Sequence, residues 1–261
     1  MRSFILSLAG ALMLSLAAAP AGGEPTPLTV RVLSKDGKFV GSSMGGVRIT
    51  VRDAHTGEIL AQGVTKGGTG DTGRIMHEGR GRRALLADES AAAFETRLDL
   101  DEPRRIEVEA YGPLAQPQAA HRVSATQWVI PGKGVAGGDG WVLELPGFVV
   151  DVLGPPAHVR LPAGTEAVPL SANVTMMCGC PLTPGGLWDA DKTEVTALVR
   201  HGDGESGEAE RVSLDYAGKA SQFAGEIPVK DPGLYRVTVY AYDERTGNTG
   251  LDRTTFIVQG E

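Results

Sequence analysis

The chain has 261 residues, 36 of them Gly and 16 Pro, with 41% hydrophobic and 22% charged side chains. So many chain-bending residues exclude a mostly helical protein and favour short strands joined by turns. A net charge of −7 argues against sequence-independent nucleic-acid binding, and two cysteines exclude a disulfide-dense scaffold or a four-cysteine metal site.

Residues 1–21 read as a signal peptide. Arg2 supplies the positive start, an apolar stretch runs from Phe4 to Ala19, and Ala19-Pro20-Ala21 offers small residues for cleavage. The apolar stretch is short for a membrane span, which disfavours a retained anchor, and no cysteine follows it to carry a lipid. The expectation is a periplasmic or secreted protein with no membrane span after cleavage. Its Ala-, Gly- and Arg-rich composition points to a bacterial source.

Beyond residue 21, alternation of apolar and polar side chains predicts strands over 29–33, 47–52, 58–65, 96–100, 105–110, 141–145 and 148–152. Residues 84–94 are Ala-rich and predict one short helix or an ordered loop. Gly154-Pro155-Pro156 interrupts the strands, and Pro-Pro is excluded from a central strand, so the domain boundary is placed there. Further strands are expected over 168–176, 193–200, 235–242 and 254–258. The predicted class is all-β: two β-sandwiches in tandem, 22–153 and 154–261, after the signal peptide. Asp53-Ala-His-Thr-Gly57 and Asp243-Glu-Arg-Thr-Gly247 echo one another at strand ends, which is turn chemistry.

Gly45-Gly46-Val47-Arg-Ile-Thr-Val-Arg-Asp53, followed by Thr56-Gly57-Glu-Ile-Leu-Ala-Gln-Gly63, Val64-Thr65 and Gly73, resembles the carboxypeptidase-regulatory and transthyretin-like β-sandwich families over about residues 28–75. Such modules are usually accessory, so the resemblance implies binding or support. Asp231-Pro-Gly-Leu-Tyr235-Arg-Val237 has the shape of a tyrosine corner, and the second module resembles bacterial immunoglobulin-like domains. That resemblance puts Val237 where antibody-type domains carry a core cysteine. It makes 168–176 strand B and places the loop after it, residues 243–248, His158 and the Pro-Pro segment at the pole facing the first domain.

That loop, Met176-Met177-Cys178-Gly179-Cys180, is the chemically unusual feature. One glycine between the cysteines lets both sulfurs converge, and the expected loop is partly exposed. Three states fit: a local or intermolecular disulfide, a metal site, or inert thiols. Two thiolates with a Met176 or Met177 thioether suit copper as Cu(I), whereas zinc would need further ligands such as Asp189, Asp191 or His158. The metal candidates are therefore Met177, Cys178 and Cys180.

Other features carry blander readings. Gly68-Thr-Gly-Asp-Thr-Gly73 matches a dinucleotide fingerprint, but no apolar helix follows it, and a loop is the expectation. Arg74 with Arg80-Gly-Arg-Arg83 reads as a solvated face. Asp189, Asp191 and Glu194 lack calcium-loop spacing. Trp188 suits a core position near strand C. His55, His77, His121 and His201 fall singly, and no catalytic constellation is assignable from spacing. The functional expectation is an exported, non-enzymatic binding protein of the bacterial envelope. Its partner would be another envelope or secreted protein, with no nucleic acid. The alternative is a periplasmic copper-handling or thiol-redox protein using the Met-Cys-Gly-Cys loop.

Overall fold

The computed structural model describes residues 22–77, 81, 83–202 and 209–260. The signal-peptide segment, Arg80 and Arg82 lie outside the described residues.

The protein is all-β. The first sandwich is built from β1 (Glu24–Ser34), β2 (Arg48–Asp53), β3 (Ile59–Val64), β4 (Phe94–Leu100), β5 (Arg104–Gly112), β6 (His121–Val129) and β7 (Trp141–Leu145). One sheet has the order β4-β1-β7, with β1 and β7 parallel, and the facing sheet has the order β3-β2-β5-β6. Their inner faces alternate as the sequence does: Val30 and Val32, Ile49 and Val51, Ile106 and Val108 are all buried.

The second sandwich holds β8 (Phe148–Gly154), β9 (Val159–Leu161), β10 (Ala167–Met176), β11 (Glu194–His201), β12 (Glu210–Ser213), β13 (Asp215–Tyr216), β14 (Gln222–Pro228), β15 (Gly233–Asp243) and β16 (Asn248–Val258). Its sheets run β13-β14-β10-β8 and β12-β11-β15-β16-β9, an immunoglobulin-like arrangement. The tyrosine corner is formed. The Tyr235 hydroxyl donates to the Asp231 carbonyl at 2.8 Å and accepts from the Lys230 and Asp231 amides. Its ring stacks on Phe256 at 4.7 Å. Val237 is buried in the core between the sheets.

Two expectations are corrected. Strand β8 pairs with β10, so sheet membership changes at Pro146-Gly147 and not at residue 154. Gly154-Pro155-Pro156 instead carries the chain from one sheet of the second sandwich to the other. His158 consequently lies beside Thr255, with Nδ1 and Oγ1 2.8 Å apart. That is seven residues along β16 from Asn248, about 24 Å from the domain-facing pole. The Ala-rich segment 84–94 takes the ordered-loop alternative and not the helix. Its backbone is claimed by distant partners: the Leu86 and Ala87 amides bond the Asp139 carboxylate, and Ala91 and Ala93 bridge to Gly68 and Lys66. Tertiary bonds override a propensity worth only tenths of a kcal/mol per residue.

Candidate functional site at the domain seam

The Met-Cys-Gly-Cys loop continues from β10, whose last residues still alternate. Met176 points into the core of the second sandwich, and Met177 is fully buried in that of the first. The loop then closes tightly, with the Met176 amide donating to the Cys180 carbonyl and the Gly179 amide to the Met176 carbonyl. Gly179 adopts φ +78°, and a Cβ there would stand 2.7 Å from the Met44 sulfur, so only glycine fits both the turn and the approach of the first domain. Cys178 and Cys180 are joined as a disulfide, their Cα atoms 5.4 Å apart. The expectation of a partly exposed pair is corrected: the two residues are 1% and 5% exposed. The first domain's turn covers them, Gly37 lying against the Cys178 sulfur.

The sequence candidates therefore divide. The two sulfurs meet in a bond to each other, and the Met177 thioether turns away into the first core. Asp189 is occupied locally, its carboxylate accepting from the Gly185 and Asp191 amides and capping the short turn Ala190–Lys192. These backbone bonds, Gly185 first, hold it below the usual carboxylate range. No group of three or more His, Cys, Asp or Glu side chains is gathered in a metal-holding arrangement among the described residues.

Around the disulfide runs a cleft of about 360 Å³ between the domains. Ser43, Thr69 and Thr72 give it hydroxyls, Lys38 donates to Thr72 at 2.9 Å, and Trp188 forms the opposite wall. Trp188 packs against the second core while its Nε1 donates to the Asp36 carbonyl across the seam at 2.8 Å. The Gly68–Gly73 loop supplies Thr69 and Thr72, and its backbone pairs with Phe39, Ser90 and Ala92. Hydroxyl groups and the Trp188 ring thus line the cleft, and the disulfide beneath it is almost wholly shielded.

Sequence reasoning missed the residues that close the seam. The Asn248 amide donates to the Lys35 carbonyl at 3.2 Å, and its oxygen accepts from the Gly147 amide at 2.9 Å. Ser34-Lys-Asp-Gly-Lys38 contains an Asp-Gly turn signal between apolar runs, which is the clue that was available. Asp36 faces Asp243. Partial desolvation of its carboxyl and then the Asp243 charge push Asp36 above its ordinary value, against Arg245 and Lys35. Burial also pushes Asp243 up. The hydrogen bonds from the Arg245 side chain and backbone outweigh this, so Asp243 is held below the usual range.

No family model and no curated protein matches this chain. Among solved structures it is similar to an engineered protein at 17% identity and TM-score 0.31, over 47% of this chain and 22% of that one. It is also similar to the fibronectin(III)-like modules of Clostridium thermocellum CbhA at 14% identity and TM-score 0.30, over 93% and 92%. A third similarity is to Escherichia coli alpha-2-macroglobulin activated by porcine elastase, at 10% identity and TM-score 0.23, over 90% and 22%. The chain thus spans about a fifth of two of these three structures.

Proposed function

We propose that this chain is an exported, non-enzymatic protein of the bacterial envelope that binds a partner through the outer faces of two joined β-sandwiches. In this reading the first is a carboxypeptidase-regulatory or transthyretin-like module and the second a bacterial immunoglobulin-like one. The observation that carries it is the seam. Asn248 and Trp188 donate to the Lys35 and Asp36 carbonyls across it, while the Asp243–Arg245 pair is satisfied within its own turn. Side chains held this way join domains, which leaves the sheet faces for recognition.

The test has two arms. The full chain, expressed in a bacterial host, is expected in the periplasmic or secreted fraction at the mass of residues 22–261. A photo-crosslinking residue at exposed Leu251 or Ile59 is expected to give a discrete protein adduct. Retention in the cytoplasm at full mass would overturn export; a lack of adducts from both faces would overturn binding.

A second reading is thiol-redox, favoured by the disulfide on the cleft floor. Its reduction takes two electrons and two protons to give two thiols. Copper binding by Met177, Cys178 and Cys180 would require that reduction and a turn of Met177 out of the first core. Cu(I) titration of the reduced chain against a competing chelator tests it, with a Cys178→Ser/Cys180→Ser double variant as control. Copper held as tightly by the variant would remove this reading.

A further inference from the structure

The first sandwich is open along the side where β3 and β4, the outer strands of its two sheets, face each other. The two strands come together only just beyond one end. There the Lys66 amide donates to the Ala93 carbonyl at 2.9 Å, and the Ala93 amide to the Lys66 carbonyl at 3.0 Å. Continued in register, this antiparallel bridge would zip β3 to β4 and close the sheets into a barrel. It stops at once. The Phe94 ring lies against Gly63, where a Cβ would collide with it, and no pairing joins the two strands beyond that point.

Register identifies the backbone groups left at the opening. On β1 the Thr29 amide and the Pro27 carbonyl serve Val135, so the even-numbered residues of β1 are the ones that bond β4. Their partners are Phe94, Thr96, Leu98 and Leu100. Alternation then turns the amides and carbonyls of Glu95, Arg97 and Asp99 to the free edge, where no described residue pairs with them. Beside this edge lies a cleft of about 280 Å³, with Ile59 and Leu60 of β3 on one side and Arg97 and Asp99 on the other. Glu95, Arg97 and Asp99 also present their side chains outward, all three exposed, in the order acidic, basic, acidic.

We infer that the free edge of β4 takes one extended segment of a partner protein as an added strand, with basic, acidic and basic side chains facing outward. Strand addition follows from the backbone: exposed amides and carbonyls at every second residue are a template for a chain of the same repeat. The partner's charge order follows from its cross-strand neighbours, since residues directly opposite point to the same face and like charges there repel. Its inward side chains, between those charges, are apolar and rest in the cleft over Leu60. The inference rests on the reading of this chain as a binding protein and names one edge and one kind of segment. Export does not enter it, and adducts from Leu251 on the second sandwich test the wider reading independently.

The test is amide hydrogen exchange and chemical shifts of the full chain, free and with a capped synthetic peptide of about seven residues. The peptide carries valine at alternate positions, with lysine, glutamate and lysine between them. In the free chain the Thr96 and Leu98 amides are expected to exchange slowly and those of Glu95, Arg97 and Asp99 fast. The peptide is expected to bind saturably and to slow the second set. Arg97→Glu, at an exposed position, is expected to weaken this peptide about threefold and to strengthen one with lysine at the centre by a similar factor. No slowing at residues 95, 97 and 99, or equal binding of a charge-reversed peptide, would overturn the inference. Equal binding of the peptide methylated at the backbone nitrogens of its lysines, which keeps the charges and removes the donors, would overturn it too. Slow exchange of the same three amides in the free chain, growing with protein concentration, would overturn it in favour of a second copy of this chain.

Discussion

The two Asp-x-x-Thr-Gly turns are the same device in two settings. Asp53 accepts from the His55 and Thr56 amides, Asp243 accepts from the Arg245 amide, and Gly57 and Gly247 close each turn at φ +76° and +69°. Each carboxylate has one arginine beside it, Arg104 at 3.7 Å for Asp53 and Arg245 at 2.6 Å for Asp243. The neighbours differ. Asp53 is buried among groups of its own sandwich, while the Asp243 charge acts on Asp36 of the other domain across the seam. The local motif sets the turn, and the tertiary setting decides whether that turn also joins domains.

If the seam is what distinguishes the two settings, substitutions there should cost more than matched ones elsewhere. The largest effect is expected from Met177→Ala, which empties a fully buried position of the first core filled from the second domain. A loss of about 2–5 kcal/mol in denaturant unfolding is predicted, the range for such cavities. Next comes Asp243→Ala, predicted to cost about 2 kcal/mol by removing buried charged hydrogen bonds. Asp53→Ala should cost less, and equal losses in the two would erase the comparison.

The pH dependence sharpens it further. The Thr56 and His55 amide bonds hold Asp53 below the ordinary carboxylate value, as the bonds from Arg245 do for Asp243 despite burial. Each then contributes stability that is present above about pH 4 and lost as pH falls through its folded value. Asp36 has the opposite sign. Its raised value means that ionisation in the folded state is unfavourable, so its contribution improves as pH falls from that value toward about 4. Asp36→Asn should therefore raise stability at neutral pH and remove this component from the profile. A profile unchanged by Asp36→Asn would show that the seam does not crowd the Asp36 carboxyl.

Smaller effects are expected from single hydrogen bonds. Trp188→Phe loses the bond to Asp36 across the seam, and Tyr235→Phe loses the corner bond at the far end of β15; each should cost about 1 kcal/mol. Only the first should loosen one domain from the other, as read by hydrogen exchange at Lys35–Gly37. The smallest effect is predicted for the disulfide. A bridge across one intervening residue removes little freedom from the unfolded chain, so the Cys178→Ser/Cys180→Ser variant should unfold close to the parent. Burial should protect the bond in the folded protein, and alkylation after dithiothreitol treatment should be fast only in denaturant. Fast labelling under native conditions would mean that the cleft floor opens.

Much of this architecture is legible in the sequence, because alternation is a direct signal of a half-buried strand. Val47 to Arg52 and Tyr235 to Tyr242 place their apolar positions on the buried face, and the tyrosine corner is a local motif with one geometry. Strand β14 escaped because its inward positions are Phe223, Gly225 and Ile227, and Gly225 breaks the apolar period where the Ser213 carbonyl approaches. Strand β6, at a sheet edge, buries only Val129 fully and so alternates weakly. The position of β8 was hidden because Pro-Pro marks a crossing between sheets as readily as a crossing between domains. In the loop, the single glycine showed that the sulfurs of Cys178 and Cys180 could converge, and left open whether they bond to each other, to a partner or to a metal. Nothing in the sequence signalled that the Asp36-Gly37 turn would bury them, since that contact joins residues about 140 positions apart.

The central claim is that the seam makes the two sandwiches a single body with its recognition surfaces outside. Residual dipolar couplings of backbone amides from both sandwiches test it most directly. The prediction is that one alignment tensor fits residues 24–145 and 148–258 together in the parent chain, and that Met177→Ala requires two. Two independent tensors in the parent would contradict the account.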